Sequence, residues 1–160
     1  MAIHYQDLPA RSKHFDTLYH GTLIKNAASV CKEGIKRGEY ERVGEISRTD
    51  EIIGPNERIA DCIGTVSMSK NQKGAIFFAC AYDIMNKEGQ AIFEIDPSKL
   101  DKNHMFFRDM FNKKYAEVKY IGDIPPQAIK RVLLRKFTWE PELEVEETYR
   151  TCDEILRGKL

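Results

Sequence analysis

The chain lacks several features that would assign it to a class at once. Its 25 Lys and Arg residues balance 25 Asp and Glu residues, and zero net charge argues against broad electrostatic capture of nucleic acid or an acidic membrane. No apolar run approaches the roughly 20 residues that span a bilayer. The first residues, Met1-Ala2-Ile3-His4-Tyr5, do not follow the pattern of a signal peptide. We therefore expect a cytoplasmic protein, in the producing or a host cell, without membrane contact.

Metal and phosphate motifs are missing as well. The four cysteines, Cys31, Cys62, Cys80 and Cys152, form no CxxC pair and have no histidine at ligand spacing. Three of them have apolar neighbours, among which a thiol behaves as a small hydrophobic group. There is no glycine-rich phosphate loop and no internal repeat. The sequence thus predicts no metal site.

What is present describes one soluble globular domain. The chain has 160 residues, 42% of them hydrophobic and 31% charged, enough to bury a core without disulfide or metal support. We expect a single domain over 1–160, with an N-terminal extension at 1–14. An acidic C-terminal tail covers 138–160, and part of this tail, 145–156, fits an amphipathic helix.

The periodicity of the apolar residues predicts an α+β protein with a mixed or antiparallel sheet. The expected strands cover 15–22, 63–69, 90–95, 115–121 and 129–137. One helix should end at Gly34, and a second should begin after Asn71, which is a suitable N-cap. A long segment without periodicity, 36–60, is best explained as a functional loop.

Two of these strands carry polar residues within apolar runs. They are Tyr19-His20-Gly21-Thr22 and Tyr115-Ala116-Glu117-Val118. Burying an unpaired polar group costs roughly 1–3 kcal/mol, and burying a charge costs more. The two interruptions therefore suggest one site shared between strands.

These motifs, in this order, resemble the ADP-ribosyltransferase superfamily over roughly 18–132. The resemblance is carried by Leu-Tyr-His-Gly-Thr and a helix ending in Gly34-Ile35, then by Val66-Ser67-Met68-Ser69 with a helix bearing Phe77-Phe78-Ala79. The third element is Tyr115-Ala116-Glu117-Val118, followed by Ile124-Pro125-Pro126. The first and third elements look most like the DarT-like, DNA-targeting toxin group. The resemblance implies a split mixed β-sheet that holds NAD in a cleft.

The resemblance also implies roles for individual residues. Glu117 would be catalytic, because a carboxylate beside the ribose can stabilise developing positive charge and accept a proton. A neutral imidazole at His20 suits a ribose hydroxyl, and Gly21 would let the backbone approach nicotinamide. The whole set expected to bind the cofactor is His20, Gly21, Thr22, Ser67, Ser69, Phe78 and Arg58.

Some of these assignments have alternatives. In one register Ser67 or Ser69 takes the polar position of the second strand. In another, Phe77 stands where poly-ADP-ribose polymerases carry a stacking Tyr; we prefer the first, because a helix capped by Asn71 would take both phenylalanines into the core. Arg48 is an alternative to Arg58 for the NAD phosphates. Glu117 could instead face outward from an edge strand, paired with Lys119 or Lys114.

The sequence thus predicts an NAD-dependent mono-ADP-ribosyltransferase, toxin-like, that modifies a macromolecular acceptor, either a protein side chain or a nucleic-acid base. A neutralising partner protein is a further expectation. An RNA 2′-phosphotransferase would share the fold but needs a basic cluster that the sequence does not show. From other classes, the alternatives are a catalytically inert module that binds NAD, ADP-ribose or a partner, and a structural protein with an acidic partner-binding tail.

Overall fold

The computed structural model describes residues 15–38, 64–82, 88–108, 117–138 and 144–160. Its strands are β1 (Leu18–Leu23), β2 (Thr65–Ser69), β3 (Gln90–Ile95), β4 (Met105–Arg108), β5 (Glu117–Ile121), β6 (Ile129–Thr138) and β7 (Glu144–Arg150). Its α-helices are α1 (Ala27–Glu33), α2 (Gln72–Tyr82) and α3 (Cys152–Leu156). The expected α+β class is confirmed. The N-terminal extension at 1–14 and most of the loop at 36–60 lie outside the described residues.

One sheet organises these elements. Its strand order is β4-β5-β2-β1-β3-β6-β7, and every strand pair among the described residues is antiparallel. The pairing of β1 with β3 runs over six residue pairs, whereas β1 and β2 share a single pair, Tyr19 with Ser69. The two halves of the sheet therefore meet at a junction with very little ladder.

The two faces of the sheet are covered differently. Alternate strand residues point to opposite faces, and one set joins α1 and α3 in the main core, with Leu18, Phe93 and Ile155 among its buried members. The other face packs against α2 through a smaller cluster that includes Ile92 and Leu133. None of the helices in the described part of the chain has the length and hydropathy of a bilayer-spanning segment.

The secondary structure of the C-terminal region differs from the prediction. The helix predicted over 145–156 is wrong in its first half: Glu144–Arg150 is β7, and only Cys152–Leu156 is helical. The residues of β7 gain a complete ladder with β6, in which Arg135 lies opposite Glu147 and Lys136 opposite Glu146. Cross-strand pairs of opposite charge stabilise such an arrangement, and they outweigh the helical spacing of the apolar residues.

A disulfide is the second correction. Cys31 in α1 and Cys152 in α3 are bonded, with their Cα atoms 5.1 Å apart, whereas the sequence predicted a core without disulfide support. Ile155, one turn further along α3, is buried in the main core. The bond and this side chain together fix the C-terminal helix against α1.

Candidate functional site

Ser67, Ser69, Glu117 and Lys119 are brought to one face of the sheet by the register of two strands. β2 and β5 pair so that Ser69 lies opposite Glu117 and Ser67 lies opposite Lys119. Side chains directly opposite each other in an antiparallel pair share a face, and residues two apart on a strand do so as well. Four polar residues therefore form a compact block beside the β1–β2 junction.

Glu117 is the buried centre of this block. Its residue exposure is 6%, and that of Lys119 is 3%. The Ser67 hydroxyl donates to Oε1 of Glu117 at 2.9 Å, and Nζ of Lys119 lies 3.1 Å from the same oxygen. Among the described residues the structure gives Oε2 no such partner. The carboxylate is thus held through Oε1, one of its two oxygens.

His20 reaches this block through Ser67. A ring N–H at Nδ1 of His20 donates to the Ser67 carbonyl oxygen across 2.8 Å, since a carbonyl can only accept. In a neutral ring Nε2 is then the acceptor. Because side chains alternate between the two faces along a strand, the His20 side chain leaves β1 on the same face as that of Phe93, its partner on β3. The Glu117 side chain leaves β5 on the opposite face. The imidazole and the carboxylate are therefore linked through Ser67 at the junction of the two half-sheets.

Gly21 and Thr22 have local structural contacts. A Cβ built on Gly21 would contact the Ala75 carbonyl oxygen of α2 and lie 2.8 Å from the Ala79 Cβ, so a hydrogen at this position lets the helix lie close to β1. The Thr22 hydroxyl accepts a hydrogen bond from Asn26 at 3.1 Å. Their assignment to a cofactor stays a prediction.

Ser69 contacts the residue just before helix α2. The Ser69 hydroxyl accepts from the backbone N–H of Asn71 at 3.3 Å, and the Asn71 side chain accepts from Gly74 N–H at 2.7 Å. Asn71 is thus the N-cap that the sequence predicted. Ser69 is almost completely buried, and it orders the β2–α2 connection from the same face of the sheet as Glu117.

The burial of the two phenylalanines of α2 differs from the expectation. Phe77 is 52% exposed and Phe78 is half-buried, so the prediction that both enter the core is wrong for Phe77. The helix turns Ala75 and Ala79 toward the sheet, and a residue midway between them falls on the outer side. The two rings meet edge to face, with centroids 5.7 Å apart.

The arginines proposed for the NAD phosphates, Arg48 and Arg58, lie outside the described residues, as do Tyr115 and Ala116. The role of either arginine stays a prediction.

A second buried carboxylate, Glu94, lies on the same face as Glu117. Glu94 is opposite Tyr19 on one side and Arg131 on the other. The Arg131 Nε–H donates to Glu94 at 2.6 Å, and the guanidinium lies 3.8 Å from the centre of the Tyr149 ring. This pair ties β3, β6 and β7 together. Burial and then the Glu94 charge raise the pKa of the Tyr19 phenol.

The sequence did not predict that a buried Lys119 contacts a buried Glu117. Pairing with Lys119 was foreseen only for an exposed Glu117 on an edge strand, whereas both residues are buried on a strand between β2 and β4. A lysine two positions from a candidate catalytic residue on a predicted strand was the available signal, since such residues share a face.

No protein-family model and no curated protein matches the chain. Among solved structures the chain is similar to "EcPltA", an ADP-ribosyltransferase-like structure, with a TM-score of 0.54. The match covers 88% of this chain and 87% of that chain at 11% sequence identity. At this identity the likeness concerns the fold alone: the chain has a fold similar to that of an ADP-ribosyltransferase-like protein.

Proposed function

We propose that the chain is an NAD-dependent mono-ADP-ribosyltransferase that releases nicotinamide and transfers ADP-ribose to a macromolecular acceptor. The single observation that carries this proposal is the hydrogen bond from Ser67 to the buried carboxylate of Glu117, beside the junction of β1 and β2. The similarity of fold to EcPltA supports the same reading at a coarser level.

The chemistry of the residues fits this substrate. Breaking the bond between nicotinamide and ribose develops positive charge on the sugar, as glycoside cleavage does. A carboxylate fixed in a buried position stabilises such charge more strongly than one in water. Oε2 of Glu117 could accept from a ribose hydroxyl, since the Ser67 hydroxyl and Nζ of Lys119 both contact Oε1.

Nicotinamide release from NAD tests the proposal. Wild type should release nicotinamide, and Glu117→Gln, which is nearly isosteric, should lose at least about a hundredfold in kcat. Glu94→Gln is the matched control, because it removes another buried, ion-paired carboxylate that ties β3 to β6. Equal activity in wild type and Glu117→Gln would refute the catalytic assignment.

The acceptor is open between a protein side chain and a nucleic-acid base. Labelled NAD incubated with the protein and cell lysate, followed by separate protease and nuclease digestion, distinguishes them by the treatment that frees the label. We expect the label in macromolecular material in either case.

The ion pair of Lys119 with Glu117 favours a second candidate, a catalytically inert module that binds NAD or ADP-ribose. An ammonium 3.1 Å from the carboxylate offsets negative charge that a transferase would direct at the ribose. The two candidates differ in one result. An inert module would be stabilised thermally by NAD, yet would release no nicotinamide.

A further inference from the structure

Lys119 is as deeply buried as the carboxylate that it contacts. Its Nζ and the Ser67 hydroxyl converge on one oxygen of Glu117, at 3.1 and 2.9 Å. Leaving a lysine of 3% exposure with its charge uncompensated would cost several kcal/mol of desolvation. The ion pair therefore restricts the positions of both side chains.

We propose that Lys119 is a positioning residue for Glu117, which holds Oε1 and so directs Oε2 toward the substrate. The inference rests on the proposed transferase function. In this inference the Lys119 ammonium and the Ser67 hydroxyl both hold Oε1, so that Oε2 is the oxygen that contacts the substrate.

The arrangement on the strand supports this role. Glu117 and Lys119 are two residues apart on β5, and Ser67 faces Lys119 across the β2–β5 ladder. The three side chains therefore start from fixed points on one face of a paired sheet. Two donors on one oxygen restrict rotation of the carboxylate more than either would alone, because a single donor allows the group to turn about that bond.

The Glu94–Arg131 pair offers a contrast. Glu94 is buried, but the side chain of Arg131 is 50% exposed, so water screens this pair from the arginine side. Lys119 has almost no such access to water. Replacing both charges of a buried pair together is often neutral for stability, whereas removing one leaves the other uncompensated.

A double-mutant cycle of Lys119→Met and Glu117→Gln, followed by nicotinamide release and thermal unfolding, tests this role. Lys119→Met should lower kcat about tenfold or more and change KM less than threefold, because the loss concerns orientation rather than binding. In the Glu117→Gln background the same change should have no further effect on kcat, since the two residues act as a unit. Lys119→Arg, which keeps the charge, should retain more activity than Lys119→Met.

The outcomes separate this inference from the proposed function. A wild type that releases no nicotinamide overturns both. An active wild type whose kcat is unchanged in Lys119→Met, or whose two single losses multiply in the double variant, overturns the positioning role alone. If Lys119→Met does not fold, the double variant removes both charges and should fold. A kcat of that double variant clearly below the kcat of Glu117→Gln would also refute the inference.

Discussion

His20 and Glu117, 97 residues apart in the sequence, are joined through one residue. Ser67 accepts from His20 with its carbonyl oxygen and donates to Glu117 with its hydroxyl. The two bonds use different parts of Ser67, so substitution can remove one and keep the other.

Ser67→Ala should lower kcat for nicotinamide release about tenfold, because a hydrogen bond to a charged group contributes roughly 1.5–3 kcal/mol. The carbonyl bond to His20 remains, so the KM for NAD should change little. Ser29→Ala is the control, since that hydroxyl donates to the carbonyl oxygen of Asn26, the residue before α1. An unchanged kcat in Ser67→Ala would mean that this hydrogen bond has no part in catalysis.

Gly21→Ala should destabilise the protein by about 1–3 kcal/mol, the usual range for overpacking. The added methyl group would press on Ala75 and Ala79 of α2. Chemical denaturation measures the loss. Ala79→Gly removes the opposing methyl group, so a double-mutant cycle should show favourable coupling between the two substitutions. Purely additive effects would indicate that α2 does not lie against β1 in solution.

Reduction of the Cys31–Cys152 disulfide should lower the free energy of unfolding by about 2–4 kcal/mol, because the bond closes a loop with a sequence separation of 121. Differential scanning calorimetry with and without reductant measures the change. Cys152→Ser should match the reduced protein and respond no further to reductant. Identical melting curves for the oxidised and reduced wild type would contradict the prediction.

Acid should loosen helix α3. Hydrogen bonds from the backbone and then the side chain of Thr151 lower the pKa of Glu154 from its usual 4.5. A lowered folded-state pKa stabilises the structure above the unfolded value, and this stabilisation is lost as pH falls from about 4.5 through the folded value. Amide hydrogen exchange in α3 should therefore show lower protection factors at acid pH. In Glu154→Gln this pH-dependent change should be smaller.

The sequence predicted those features that depend on local patterns. Gln90–Ile95 was predicted with its observed bounds, and the cap at Asn71 and the stop at Gly34 follow from residue chemistry that acts over a few positions. Glu117 was identifiable because a charge in an apolar strand needs a partner.

The sequence did not predict contacts between residues that are far apart in the chain. The disulfide joins residues 121 positions apart, and β7 forms a strand because β6 supplies its ladder. The burial of Lys119 likewise depends on the strands that flank β5. The cytoplasmic location expected from the sequence stays a prediction, and the Cys31–Cys152 bond does not favour it, because disulfides are typical of oxidising compartments.

The covalent link between α1 and α3 also has a consequence for a chain that has been cut. Any single peptide-bond cleavage between Cys31 and Cys152 divides the polypeptide into two fragments that remain one molecule. Nicked protein would therefore migrate as two shorter bands in a denaturing gel only after treatment with a thiol. A protease acting anywhere within this closed loop would leave both termini attached to the same molecule.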